Sequence, residues 1–117
     1  MNKEENLQLR WETLVGKLSA IFAEGERINL DGILYLIGVQ ELGQGVRRYY
    51  KDEKVNLMHI AVCRLLEPYG YYQYAHTDEE GWPHYTIATP LPALSPEQQT
   101  LLMQEAIVRY FTENDFL

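Results

Sequence analysis

One stretch constrains this chain more than any other: residues 28–42, INLDGILYLIGVQEL. Projected at about 100° per residue, Leu30, Ile33, Leu34, Leu36, Ile37, Val39 and Leu42 fall on nearly every side of a helix, with Tyr35 among them. A helix that is apolar all round is a buried one. It is too short for a bilayer, which needs roughly 20 apolar residues, so it reads as a core helix that other elements must cover. Glu41 breaks the pattern, because it projects between Leu30, Leu34 and Ile37. A carboxylate there is hydrogen-bonded, paired or protonated, unless the helix frays before residue 41 and the side chain reaches water beside Gly43.

The remaining elements are read as that cover. Residues 4–23 place Leu7, Trp11, Leu14, Val15, Leu18, Ile21 and Phe22 at helical spacing, and Gly25 follows as a stop. The central helix is entered through Glu26-Arg27 with Asn29 as a candidate N-cap. Asp52 reads as the N-cap of a third helix that reaches Glu67, ends at Pro68 and Gly70, and carries Val55, Met58, Ala61, Val62, Leu65 and Leu66 as its stripe. Residues 69–90, YGYYQYAHTDEEGWPHYTIATP, change period to that of a hairpin around TDEEGWP. Pairing across residues 78–82 sets His76 opposite His84 and Tyr74 opposite Thr86. Tyr71, Ala75, Tyr85 and Ile87 would then share one face, and Tyr72, Tyr74, His76, His84 and Thr86 the other. Ser95-Pro96-Glu97-Gln98 opens a last helix to about Asn114 that buries Leu102, Met103, Ala106, Ile107, Tyr110 and Phe111. The expected fold is mostly α (α+β): four helices with one small antiparallel β-hairpin between helices 3 and 4, in a single domain over residues 1–117.

Composition narrows the function classes. A chain of 117 residues with 46% hydrophobic and 12% aromatic content can bury a core without disulfides or a structural metal. Its formal charge is −7, from 17 acidic against 10 basic residues, and nucleic-acid binding wants a basic stripe. The order helix, helix, helix, hairpin, helix is similar to that of winged helix-turn-helix DNA binders, a resemblance of element order carried by no residue motif. The helix in the recognition position holds Asp52, Glu53 and Glu67 against Lys54 and Arg64, and the wing tip is Asp78-Glu79-Glu80, so a DNA-binding regulator is disfavoured on charge. A lone Cys63 forms no internal disulfide, and MNKEEN has no apolar signal core, so a reducing cytoplasm is expected. No transmembrane segment is expected.

Three groups of residues could carry chemistry. His59 and Cys63 share a helix face at i, i+4 and could be half a metal site or a thiol with its base; the plainer reading is a buried thiol beside a hydrogen-bonded histidine. Were helices 2 and 3 antiparallel, Glu41 would come near His59 and orient its imidazole. This makes a small enzyme or metal-binding protein using Glu41, His59 and Cys63 the alternative reading. The loop Gly43-Gln44-Gly45-Val46-Arg47-Arg48-Tyr49-Tyr50-Lys51 is the most basic and aromatic spot and could receive an acidic partner, but its two glycines lack the strand and Lys-Ser/Thr of a phosphate loop. The third group is the tyrosine-rich hairpin, with Tyr72, Tyr74, His76, Trp82 and His84. Aromatic residues are enriched in interface cores, so the preferred reading is a protein-interaction or ligand-binding module without catalytic activity. It would meet a protein partner, or a second copy of itself, through the hairpin face, with no cofactor or metal.

Overall fold

The computed structural model describes residues 2–45 and 47–117, so Val46 of the basic loop lies outside the described residues. The elements are α1 (Lys3–Phe22), α2 (Leu30–Leu42), α3 (Lys51–Leu66), a 3-10 turn (Glu67–Tyr69), β1 (Tyr72–Thr77), β2 (Pro83–Ile87) and α4 (Pro96–Glu113). The fold is mostly α, with one two-stranded antiparallel hairpin between the third and fourth helices. The backbone groups into two compact units, Met1–Asn29 with Ala93–Leu117, and Leu30–Pro92.

The first unit is built on α1 and α4. Asn2 caps α1 by accepting from the Glu5 N–H at 2.8 Å, and Ser95 and Gln98 close a reciprocal capping box on α4 at 3.1 and 2.9 Å. Trp11, Leu14, Val15 and Leu18 are buried on α1, and Ala106, Ile107, Val108 and Tyr110 on α4. Fully burying a Leu or Ile side chain stabilises by roughly 1.5–3 kcal/mol, so this stripe sets the pairing. Gln8 bonds Gln104, and Arg10 bonds Thr112. Lys17 reaches the Phe116 carbonyl. These contacts advance along both helices together, so α1 and α4 run in the same sense. Expectation and structure part at the end of α1, where Ile21 and Phe22 are 61% and 56% exposed. After α1, the Gly25 N–H closes on the Ser19 carbonyl at 2.9 Å, and Arg27 grips Glu12 through two bonds of 2.8 and 3.0 Å.

The second unit holds the central helix. Ile33, Leu34, Ile37 and Leu42 are buried, Leu30, Tyr35, Leu36 and Val39 are half-buried, and only Asp31 and Gln40 of α2 are exposed. The helix begins at Leu30 and is intact through Glu41 to Leu42, which removes the frayed-end explanation for Glu41. Gly38 marks the closest approach. A Cβ placed on it would lie 2.2 Å from the Leu57 carbonyl oxygen, so the backbones of α2 and α3 touch where only glycine leaves room.

That contact selects the buried arc of α3. The stripe expected through Val55 and Met58 turns out to be Leu57, Ile60, Ala61, Cys63, Leu65 and Leu66, with Val55 65% exposed. Periodicity shows that a helix has an apolar side but not which of two adjoining arcs a neighbour will cover; Gly38 admits Leu57 and settles it. The helix also starts two residues early. Tyr50 is the N-cap and its N–H is taken by the Glu53 carboxylate at 2.9 Å, so Asp52 sits inside the first turn instead of capping it. After Leu66 the chain tightens into the 3-10 turn and leaves through Gly70, close to the stop read from Pro68 and Gly70.

Candidate functional site

The hairpin is built outward from its turn. Asp78 accepts the Glu80 and Trp82 N–H groups on one carboxylate oxygen, both at 2.9 Å, and the Trp82 carbonyl accepts the Asp78 N–H at 2.9 Å. Its second oxygen takes His84 Nε2 at 2.8 Å. The His84 bond first, then the Trp82 N–H, hold the Asp78 carboxyl below its usual range. Gly81 supplies the left-handed residue, φ 90°, that an ordinary side chain rarely adopts. From the α2–α3 loop, Gln44 donates to the Glu80 carbonyl at 2.8 Å and fastens the turn.

The register departs from simple alternation at one residue. His76 pairs with His84 as expected, but Tyr74 pairs with Tyr85, Gln73 with Thr86 and Tyr72 with Ile87, the shift falling between Tyr74 and His76. Ala75 is the extra residue of a β-bulge, so the alternation of faces reverses there. The expected pairing of Tyr74 with Thr86 is therefore replaced, and the expected faces are re-sorted. Tyr72 and Tyr74 lie with Tyr85 and Ile87, and the Tyr74 and Tyr85 rings meet edge to face at 5.9 Å. His76 and His84 lie on the other face, stacked at 4.7 Å and 4° from parallel.

Two side chains anchor this hairpin to the helices. Trp82, expected at the turn as a contact residue, is only 8% exposed and belongs to the core cluster of Leu42, Tyr49, Leu57 and Ile60, with Tyr35, Val39 and Tyr85 packed around it. Tyr85 is half-buried, and burial first, then the nearby Glu67 and Glu41, push its hydroxyl up to about 12. From the 3-10 turn the Glu67 carboxylate accepts the Tyr74 N–H at 3.1 Å, covering the outer edge of β1 at that point. What the anchoring leaves outside is Tyr74, 47% exposed, and Ile87, 69% exposed.

Glu41 is half-buried and pairs with Arg64 on α3, Nε to Oε1 at 3.4 Å. The route of the chain explains the partner. The α2–α3 loop doubles back, bringing the Tyr49 ring to 6.2 Å from Tyr35. The contacts Gly38–Leu57 and Glu41–Arg64 then step forward along both helices. The two helices are not the antiparallel pair that would set His59 beside Glu41. His59 Nε2 does lie 3.6 Å from Cys63 Sγ. The thiol is fully buried, however, and burial pushes it up to about 11, the protonated state that neither attacks an electrophile nor ligates a metal.

In the basic loop, Tyr49 is buried, donates to the Gly45 carbonyl at 3.1 Å and lies under the Arg47 guanidinium at 4.2 Å. Arg47 also reaches Glu53 at 3.3 Å. Tyr50 is 71% exposed. Among the described residues, no group of three or more His, Cys, Asp and Glu gathers to hold a metal ion. The stacked imidazoles have their in-plane lone pairs in two parallel planes, which do not converge on one ion.

The sequence marks none of Arg64, Glu67 and Gly38 as a site residue, and marks Asp78 only as the edge of the turn and part of an acidic tip. For Asp78 a signal existed, since an aspartate ahead of a glycine-bearing turn bonds the backbone two residues on. For the others none did, because their partners are fixed by how α2, α3 and the hairpin meet. No family model, no curated protein and no solved structure matches the chain. No helix among the described residues is long and apolar enough to cross a membrane.

Proposed function

We propose that the chain is a non-catalytic protein-binding module whose contact surface is the hairpin. The observation that carries this reading is the division of labour among its large side chains. Trp82 and Tyr85 hold the hairpin to the helices, while Tyr74 and Ile87 are kept outside on a backbone pinned by Asp78, Gln44 and Glu67. Rigid exposed aromatics lose little entropy on binding, and Tyr is enriched among the residues that dominate interfaces. The buried, protonated Cys63 and the Arg64-bound Glu41 support a binding role over a nucleophilic one.

Site-directed photocrosslinking tests the reading. A photoreactive phenylalanine analogue replacing Tyr74 should give a discrete covalent adduct with a protein in living cells, and the same group replacing Thr13 on α1 should not. Equal adducts from both positions, or none from any hairpin position, would overturn it.

A further inference from the structure

We propose that the partner includes a second copy of the chain, joined strand to strand through the outer edge of β2. The inference rests on the reading of the hairpin as the contact surface and names its occupant.

In an antiparallel ladder, residue pairs alternate between those that exchange backbone bonds and those whose N–H and C=O groups point away. Asp78 bonds the Trp82 carbonyl and Tyr71 accepts from Ala88, so His76–His84 and Gln73–Thr86 are the bonded pairs. Tyr74–Tyr85 and Tyr72–Ile87 are the outward ones. The Tyr74 N–H, bonded to Glu67 instead of to β2, agrees with this phase. The two edges are therefore unequal. On β1 the Glu67 carboxylate covers the Tyr74 N–H, one of its two outward donors, whereas among the described residues none bonds the outward backbone groups of Tyr85 or Ile87. Uncovered edges are ready templates for another strand.

The sequence PHYTI suits its own copy. A twofold axis through Tyr85 lets the two Tyr85 backbones exchange a pair of bonds. The Ile87 N–H of each copy then meets the Pro83 carbonyl of the other, so the donor that Pro83 lacks is missed only once at each end. The same register sets exposed Ile87 beside Pro83 on one face, an apolar pair. β2 carries no Asp, Glu, Lys or Arg, and antiparallel pairing sends the two acidic tips, Asp78-Glu79-Glu80, to opposite ends. A chain of net charge −7 can meet itself there with little repulsion. A five-residue pairing buries less than the roughly 1,000 Å² of a stable interface, so the dimer is weak and concentration-dependent.

The test is sedimentation of the full chain from about 1 μM to about 1 mM, with amide hydrogen exchange at both ends of the range. Wild type and Ile87→Val should pass from monomer to dimer, and protection at the Tyr85 and Ile87 amides should rise with concentration while that at Thr86 stays constant. Ile87→Pro, which deletes one outward donor, should stay monomeric. A monomer at every concentration, or a dimer whose Tyr85 and Ile87 amides exchange freely, overturns the proposal. Should Ile87→Pro fail to fold, the wild-type exchange data still decide. A hairpin adduct with a different protein, on a chain that stays monomeric, would overturn this proposal and leave the broader reading standing.

Discussion

Alanine in place of Gly38 should destabilise the protein, although alanine is the better helix former. In an unpacked helix the exchange favours alanine by about 1 kcal/mol. Here the new Cβ would sit 2.2 Å from the Leu57 carbonyl oxygen, 2.6 Å from its carbon and 2.9 Å from the Leu57 Cβ, against the 3.4 Å at which ordinary contact begins. The obstacle is backbone, which cannot swing aside like the tip of a flexible side chain, so α2 and α3 must part by about 1 Å and loosen Ile37, Leu57 and Ile60. Overpacking of this kind costs about 1–3 kcal/mol, and with a rigid obstacle the upper end applies. Set against the propensity gain, the net loss is about 2 kcal/mol, worth roughly 8 °C in Tm for a chain of this size. Urea and thermal unfolding followed by far-ultraviolet circular dichroism and tryptophan fluorescence measure it. The control is Gly16→Ala on α1, where a Cβ meets nothing within 4 Å; it should stabilise by about 0.5–1 kcal/mol. Two substitutions of the same kind thus carry opposite signs. If Gly38→Ala proves as stabilising as Gly16→Ala, the close helix contact is refuted.

Two further outcomes test other parts of the molecule. Cys63, fully buried with its thiol pushed up to about 11, should react with a disulfide reagent at pH 8 only as fast as the protein opens and rapidly in denaturant; stoichiometric labelling of the native protein within seconds would refute this. The Asp78 carboxyl is depressed in the folded protein, so its contribution to holding the turn is present above the unfolded carboxylate value of about 3.9 and fades as pH falls below it through the lower folded value. Amide exchange at Glu80 and Trp82 should accelerate over that acid interval. Asp78→Asn, which keeps an acceptor but loses the charge, should weaken the turn less than Asp78→Ala; equal effects would show that the backbone bonds contribute nothing.

Much of the fold was written locally. Four helices and a hairpin follow from apolar periodicity, from Ser95 and Gln98 at the start of α4, and from the aspartate and glycine of TDEEGWP, because helix and turn formation depend on residues within a few positions of one another. The central helix is likewise legible, since a segment apolar on all sides has nowhere to go but inward. The candidate site was legible in part: the hairpin and the facing of His76 with His84 could be read, because the turn counts residues outward on both strands.

The rest was decided between elements that no local pattern links. Ala75 bulges and carries Tyr72 and Tyr74 to the face of Tyr85, and Trp82 leaves the turn for the core, because the hairpin must lie against α2 and α3. The buried arc of α3 is chosen by Gly38 against Leu57, a fit between two backbones that spacing along either helix cannot express. Glu41 meets Arg64 because the α2–α3 loop doubles back; had it turned directly, the same carboxylate would have faced another part of α3. The sequence by itself determined which segments are helix or strand and that 28–42 goes inside. Tertiary packing alone decided which arc of α3 and which faces of the hairpin are covered and which polar groups meet, because those depend on distances closed between residues far apart in the chain.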